Sequence, residues 1–441
     1  MLQQETQTVR DAALGPNEAG VGVIQQESSV NRSPVSGSGV IHYGIWILLA
    51  GVVTVFGCLG LGRFAMAMIL PAMRTGLGLS YSELGLVVSA AFAGYLGSTV
   101  VNGFLAARYG SRLVITVSMF VVGLSMIMTG MAKGFGLAFA GQLLAGIGAG
   151  GSNVPVMGLV ARWFAPSRRG MASGFMVSGS GIGLVMAGVV VPYLLKVYTD
   201  NGWRVSWFYL GIVVLAIGVL GAIVLRNSPE EMGLEPIGGP VVAPGSNGAP
   251  VLKWGEMYRL KILWHLGFIY FMFGFSYVTF TTFFASYLVN ERGFTTTGAG
   301  QLWATAGLVS IVSGFIWGTV SDYVGRKWGL AMVYTLQAFS LALLALGSNN
   351  AFVYLATIVY ALTIWSIPAI MAAASGDYVG GKQATAVLGL LTIFFGAGQM
   401  LSPSLSGVLI DYSKSFSTTF GISALACLLG AGGAMLLKKR V

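Results

Sequence analysis

A single arginine interrupts a long apolar stretch of this chain. Arg63 lies in GCLGLGRFAMAMILPAM (57–73), within the apolar run from Ile45 to Leu70. Such a run is long enough to cross a bilayer, where a charged side chain costs at least about 2.5 kcal/mol. Because arginine stays charged and binds a carboxylate with two parallel hydrogen bonds, we expect Arg63 to face a central cavity and hold an anion. The alternative is that Arg63 extends to the membrane surface or pairs with a backbone carbonyl.

Other polar or amphipathic side chains fall in the middle of apolar spans. Each is a candidate substrate contact and equally a candidate for an ordinary contact between helices: Asn153, Tyr277, Trp303, Trp365 and Gln399. No Asp or Glu lies deep in a span, and those nearest to one sit at span ends: Glu83, Asp322, Asp377 and Asp411. Because an embedded carboxylate is what holds a cation or relays a proton, this pattern argues against a cationic substrate. It also disfavours a conventional proton relay, although a protonated substrate can carry the proton itself.

Enzymatic chemistry finds little support in the sequence. The histidines are His42 and His265, and neither belongs to a catalytic or metal-binding motif. The segment GIGAGG (146–151) matches the dinucleotide pattern G-x-G-x-x-G, but that pattern requires a strand before it and a helix after it. Here it lies inside an apolar helix, where small residues allow close helix packing. We therefore predict no enzyme, no metal site and no cofactor.

Composition indicates that lipid surrounds the folded part of the chain. Of 441 residues, 55% are hydrophobic and 9% are charged, and the mean hydropathy is +0.80. Soluble domains carry about 25% charged residues. The net charge of +10 is scattered over short loops, so we expect no nucleic-acid partner. Long continuous runs predict helices rather than barrel strands, in twelve spans at 44–70, 84–106, 113–132, 135–161, 170–195, 205–225, 262–289, 299–320, 328–347, 352–374, 384–409 and 419–437.

The distribution of Lys and Arg predicts the orientation of these spans. With the N-terminus inside, 17 of the 24 basic residues fall in inner segments, 6 fall in outer loops and Arg63 lies between. Inner loops are the basic ones, so both termini are expected to be cytoplasmic in a multi-pass protein of the cell inner membrane. Residues 1–43 are polar and lack apolar periodicity, which predicts a disordered cytoplasmic tail.

The chain repeats itself at an offset of 215 residues. GFLAARYGSR (103–112) falls on GTVSDYVGRK (318–327), so that glycines align at both ends of the segment. The same register aligns GFMVSGSGIG (174–183) with GLLTIFFGAG (389–398). We therefore predict an all-α membrane protein of twelve helices in two pseudo-symmetric six-helix halves, at 44–226 and 261–441. A Pro- and Gly-rich cytoplasmic linker, 227–260, joins them.

These segments resemble the major facilitator superfamily. GTVSDYVGRK matches the loop signature of that superfamily, and GFLAARYGSR is its first-half copy, with Ala107 in place of the acidic residue. RWFAPSRRGMASGFMVSGSGIG (162–183) and NSPEEMGLEPIG (227–238) are similar to monocarboxylate and oxalate/formate carriers. The basic and acidic pair of that branch is missing from 299–320, so the resemblance does not name the anion. We assign the gate to the signature residues and their neighbours: Gly103, Gly110, Arg112, Gly318, Asp322, Gly325, Arg326 and Asp377.

The resemblance implies transport by alternating access between two rocking halves. Together with Arg63, it predicts a monomeric secondary transporter of a small organic anion, of monocarboxylate size, by antiport or symport. One alternative is an efflux carrier for neutral or amphipathic compounds in which Arg63 is structural. An alternative of another class is a polytopic sensor or scaffold.

Overall fold

The computed structural model describes residues 42–165, 168–239, 260–379 and 384–437. It is a bundle of helices, of which eleven are long and apolar enough to cross a membrane, or twelve when one bent pair counts as a single span. We number the spans α1 to α12: Tyr43–Leu77, Tyr81–Tyr109, Ser111–Gly130, Phe135–Trp163, Arg169–Val197, Gly202–Val224, Lys261–Asn290, Thr296–Ser310 with Ser313–Val324, Arg326–Leu346, Asn350–Ala361 with Ser366–Val379, Ala384–Ser413 and Phe416–Met435. The predicted all-α membrane fold is confirmed.

Three spans differ from the continuous helices that the sequence predicts. The first continues past 70 to Leu77, with Pro71 inside it, and Phe56–Phe64 is wound as a π-helix. The eighth span, predicted as 299–320, is bent by 41° between Ser310 and Ser313. The tenth, predicted as 352–374, is interrupted between Ala361 and Ser366. The length of an apolar run indicates that a segment crosses the lipid. It does not indicate where the hydrogen-bonding pattern of the helix changes, so these three irregularities could not be predicted.

The helix boundaries follow the internal repeat. Adding 215 to the bounds of α2 (81–109) gives 296–324, which are the outer bounds of α8. Gly110 and Gly325 end these two helices with nearly the same backbone angles, φ 89° and ψ 145° against φ 90° and ψ 150°. Residues other than glycine rarely adopt such a positive φ. Each glycine therefore allows the next helix to begin immediately. The signature glycines thus make the same tight corner in both halves.

The two halves meet chiefly along two helix pairs, α2 with α11 and α5 with α8. On the first pair, contacts run from Gly407 against Tyr81 to Gly396 against Leu96. In this register the next pair is Gly103 and Gly389, yet nothing lies within 4 Å of a Cβ built on either glycine. Val100, one turn earlier, is 77% exposed. The first interface therefore closes at one end only.

The second interface behaves in the same way. Gly188 packs against Gly300, and Gly181 packs against Ile311. The next positions in register, Gly174 and Gly318, have nothing within 4 Å of a built Cβ. We call the closed end the Asp411 end and the open end the Asp322 end, after residues located at each. The space between the halves is therefore accessible from the Asp322 end.

The first part of the predicted linker belongs structurally to the first half. We call residues 227–239 the strap. Within it, Ile237 accepts a hydrogen bond from the backbone of Ala165 (3.0 Å) and donates one to Trp163 (2.9 Å). His42, at the start of α1, bonds to the backbone oxygen of Glu235 (3.0 Å). The strap therefore ties α1, α4 and α6 together at the Asp322 end.

Candidate functional site

Arg63 lies on the π-helical stretch of α1, in the middle of the bundle. Its Nε and Nη2 are buried and have no hydrogen-bond partner within the protein. The guanidinium carbon is 4.1 Å from the ring centroid of Phe92, 5.5 Å from that of Tyr95 and 5.7 Å from that of Phe64. Both salt bridges formed by described residues belong to Arg326. Arg63 is thus held by aromatic faces, which attract its charge but leave its hydrogen-bond donors unused.

A small cavity adjoins Arg63 on the side of the Asp411 end. The cavity has a volume of about 20 Å³. Besides Arg63, the polar residues that line it are Gln142, Thr281 and Thr282. That space holds about one water and is too small for an organic acid. Gln142 donates from Nε2 to Thr129 (3.2 Å), whereas its Oε1 is buried without a partner. Arg63 and Gln142 therefore both border a space the size of one water molecule.

Three of the five other predicted contacts gather around Arg63. Asn153 of α4 donates to the hydroxyl of Tyr95 (2.8 Å), and its own Oδ1 is buried without a partner. The ring of Trp365, at the interruption in α10, lies 5.7 Å from that of Phe64 and 5.9 Å from that of Tyr277. Tyr95 contacts both Asn153 and Arg63. Tyr277 and Trp365 form an aromatic wall.

The other two predicted contacts lie elsewhere in the second half. Trp303 packs near Phe280 and Phe284, with ring centroids 6.4 Å and 6.3 Å away, and its Nε1 has no partner. Gln399 lies where α11 packs closely on Gly274 of α7, and its side chain is 3% exposed. The structure does not bring either side chain into contact with Arg63.

The predicted gate residues cluster at the Asp322 end. Arg326 pairs with Asp322 (2.5 Å) and with Asp377 (2.7 Å), and it also donates to the hydroxyl of Ser321 (2.6 Å). All four belong to the second half. Among the described residues, the ion pair of Asp322 stays within the second half, in a conformation that is open at that end.

Arg112, the other basic residue predicted to belong to the gate, is held within the first half. Its guanidinium donates twice to the backbone oxygen of Ala222 (3.0 Å and 2.6 Å), and its backbone N–H donates to Asn227 (2.9 Å). Arg112 therefore fastens α3 to the end of α6 and to the strap. Among the described residues it forms no salt bridge comparable to that of Arg326, and Ala107 replaces the acidic residue of the signature.

A second polar cluster closes the Asp411 end, and the sequence did not reveal it. Asp411, near the end of α11, accepts hydrogen bonds from the backbone N–H groups of Tyr81 (3.0 Å) and Ser82 (2.7 Å) and from the Ser82 hydroxyl. Ser404 donates to Ser89 across the same interface (2.7 Å). A carboxylate at the first turn of α2 also complements the helix dipole. We call Asp411, Tyr81 and Ser82 the latch.

The described residues include no group of three or more His, Cys, Asp or Glu side chains that could hold a metal ion. What they form is a duplicated helical bundle, open at one end, with an unpaired cation in its centre. That arrangement defines a polytopic membrane carrier. A family model of the Major Facilitator Superfamily matches residues 52–368 and 302–441. The chain belongs to the Major Facilitator Superfamily.

Curated relatives are transporters by name. The chain is 26% identical over 392 residues to a probable sulfoacetate transporter of Cupriavidus necator, covering 84% of this chain and 88% of the relative. It is 25% identical over 399 residues to the hexuronate transporter of Bacillus subtilis, covering 87% and 92%. It is 24% identical over 402 residues to the human monocarboxylate transporter 11, covering 88% and 81%. The predicted resemblance to an organic-anion branch is confirmed.

Solved structures share the fold. A bacterial homologue of the human lysosomal transporter Spinster, in an inward-facing and unoccupied conformation, aligns with a TM-score of 0.74 at 16% identity, covering 90% of this chain and 97% of that chain. The nucleoside transporter NupG aligns with a TM-score of 0.67 at 14% identity, covering 88% and 99%. At these identities the likeness concerns the fold alone.

Proposed function

We propose that this protein is a secondary active transporter that moves a small organic anion, of monocarboxylate type, by alternating access and as a monomer. The observation that carries the proposal is Arg63, whose buried guanidinium has two nitrogens without a partner. A buried, unpaired charge is costly. A carboxylate that arrives in the central space relieves that cost by accepting from both nitrogens, and water solvates the charge between cycles.

The relatives support an anionic substrate. Three relatives are named as transporters of sulfoacetate, hexuronate and monocarboxylates, and all of these compounds carry an acidic group. The chain resembles these proteins at 24–26% identity, so the substrate proposed here is a chemical class rather than a compound.

The geometry supports alternating access. The halves are joined at the Asp411 end by the latch and are apart at the Asp322 end, where Gly103 and Gly318 have no neighbour within 4 Å of a built Cβ. A rocking motion that breaks the latch and brings the Asp322 end together exposes the same site to the other side. In this proposal the gate residues at the Asp322 end form the closing contact in that second state.

The Asp322 end is the cytoplasmic end in this proposal, because the basic residues of the loops concentrate there. Both termini are then cytoplasmic and the bundle lies in the cell inner membrane. A reporter enzyme fused after residue 441 should be active in the cytoplasm and silent outside. A reporter that is active only on the outer side would contradict the topology.

Transport measured with Arg63 variants tests the function. In proteoliposomes, the wild type should move a carboxylate identified by a thermal-shift screen, whereas Arg63→Gln should lose both binding and transport. Arg63→Lys keeps the charge but not the two-pronged geometry, so we expect weakened transport with altered selectivity.

Each contrary outcome points to a different function. Near-normal carboxylate transport by Arg63→Gln removes the anion-site proposal. Export of uncharged compounds by the wild type indicates an efflux carrier in which Arg63 is structural. A folded protein that produces no flux of any compound indicates a sensor or a scaffold.

A further inference from the structure

The amide of Asn153 has an unused hydrogen-bonding group next to Arg63. Asn153 donates to the hydroxyl of Tyr95 (2.8 Å), and the Tyr95 ring centroid is 5.5 Å from the guanidinium carbon of Arg63. Oδ1 of Asn153 is buried and has no partner. Buried acceptors in proteins are rarely left unsatisfied, and each one calls for an explanation. Unused donors on Arg63 and an unused acceptor on Asn153 thus both adjoin Tyr95.

The opposite orientation of the amide also accommodates a hydroxyl group. With its oxygen and nitrogen exchanged, Asn153 accepts from the Tyr95 hydroxyl, and Nδ2 is the atom without a partner. A hydroxyl group is able to donate to Oδ1 or to accept from Nδ2. A carboxylate or sulfonate group has only acceptors, so it can accept from Nδ2 but cannot satisfy Oδ1. Once Arg63 holds the acid group, a hydroxyl elsewhere on the substrate is the group that satisfies the amide in either orientation.

Position in the bundle separates Asn153 from Gln142, another amide with an unpaired oxygen. Helix α4 runs from Phe135 at the Asp411 end to Trp163 at the Asp322 end. Gln142 is fully buried at the small cavity that holds about one water. Asn153 lies three turns closer to the open end, and like Arg63 it is only half-buried. A substrate that enters from the Asp322 end therefore meets Asn153, whereas water reaches Gln142.

We propose that Asn153, positioned by Tyr95, is a specificity-determining residue that selects carboxylates bearing a hydroxyl group over the same carboxylates without it. The inference rests on the anion site proposed above. The carboxylate binds Arg63, and a hydroxyl on the carbon chain binds the Asn153 amide. An acid without the hydroxyl leaves the Asn153 amide buried without a hydrogen-bond partner, and it therefore binds more weakly.

Matched pairs of acids test the inference. Competition for carboxylate uptake is measured in proteoliposomes with lactate against propionate and with gluconate against hexanoate. In the wild type, we expect the hydroxylated acid of each pair to compete at least about tenfold better. Asn153→Leu removes the amide at similar volume and should bring this ratio close to one, because it removes the partner of the hydroxyl and also the penalty that the unsatisfied amide imposes on the other acid. Tyr95→Phe leaves the amide without its anchor and should reduce the ratio partially.

Controls separate this inference from the proposed function and from misfolding. Gln301→Leu removes an exposed amide of α8 and should leave the ratio unchanged. Because propionate should bind Asn153→Leu at least as well as it binds the wild type, retained propionate binding verifies that the site is intact. Equal competition by both acids of each pair in the wild type, or parallel loss of both acids in Asn153→Leu, overturns the inference and leaves the anion site standing. Failure of every carboxylate to bind the wild type overturns both.

Discussion

Removing the charge of Asp411 should open the latch. Asp411 accepts two backbone hydrogen bonds and one hydroxyl hydrogen bond across the interface between the halves. Hydrogen bonds to a charged group are worth about 1.5–3 kcal/mol each, and partial exposure to solvent reduces that value. Asp411→Asn keeps one accepting oxygen but loses the charge and its favourable position at the helix terminus. We therefore expect the closed state to lose about 1–2 kcal/mol, with about 1.4 kcal/mol corresponding to a tenfold shift in population.

Alkylation of an introduced cysteine measures this shift. Ser89 is 7% exposed and accepts a hydrogen bond from Ser404 across the closed interface. With Cys58 and Cys427 replaced by alanine, Ser89→Cys should react slowly with a water-soluble maleimide. Adding Asp411→Asn should accelerate the reaction by about tenfold, because the label enters only when the Asp411 end opens.

Glu83 provides the matched control for Asp411. It also caps the start of α2, accepting from the backbone N–H (2.9 Å) and the hydroxyl (3.1 Å) of Ser80, but it does so within the first half. Glu83→Gln therefore weakens a carboxylate cap on the same helix without touching the interface. Equal labelling rates for the wild type and Asp411→Asn, or equal acceleration by both variants, would refute the latch.

Three further predictions concern the rest of the bundle. Arg63→Gln should not lower the melting temperature, because it removes a buried charge without a partner; a clear loss of stability would indicate a structural role. Asp322→Asn should increase labelling of a cysteine placed at the Asp322 end while the protein stays folded, and unchanged labelling would exclude Asp322 as a gate. Gly183→Ala should cost about 1–3 kcal/mol of stability, because a Cβ there would lie 2.2 Å from the Cα of Gly60. Gly174→Ala, with no neighbour within 4 Å, should leave the melting temperature unchanged.

Features that are local in sequence could be predicted, and features that depend on long-range contacts could not. The spans and the repeat follow from apolar run lengths and from glycine spacing. Arg63 is conspicuous because a charge inside an apolar run is unusual. Asp411 and Ser82 are 329 residues apart, and only the folded bundle shows that they meet. Trp303 shows a further limit, because a mid-span position does not reveal which neighbours a side chain faces.

The aromatic partners of Arg63 had a weak signal in the sequence. Phe92 and Tyr95 are three residues apart in α2, so a helix places them on one face. The sequence does not show that this face packs against α1, because an aromatic pair at this spacing is common in any apolar helix. The π-helical stretch Phe56–Phe64 had no detectable signal, although it sets the direction of the Arg63 side chain.

The strap has a practical consequence for dividing the chain into two expressed pieces. Because Ile237 pairs with Trp163 and Ala165, and Asn227 bonds to Arg112, a first piece that ends at the close of α6 would lose contacts that join its own helices. A cut between residues 239 and 260 keeps those contacts with the first piece and leaves α7 to α12 whole. Co-expression of two such fragments, with a purification tag on one, is the natural way to ask whether the halves recognise each other without a covalent connection.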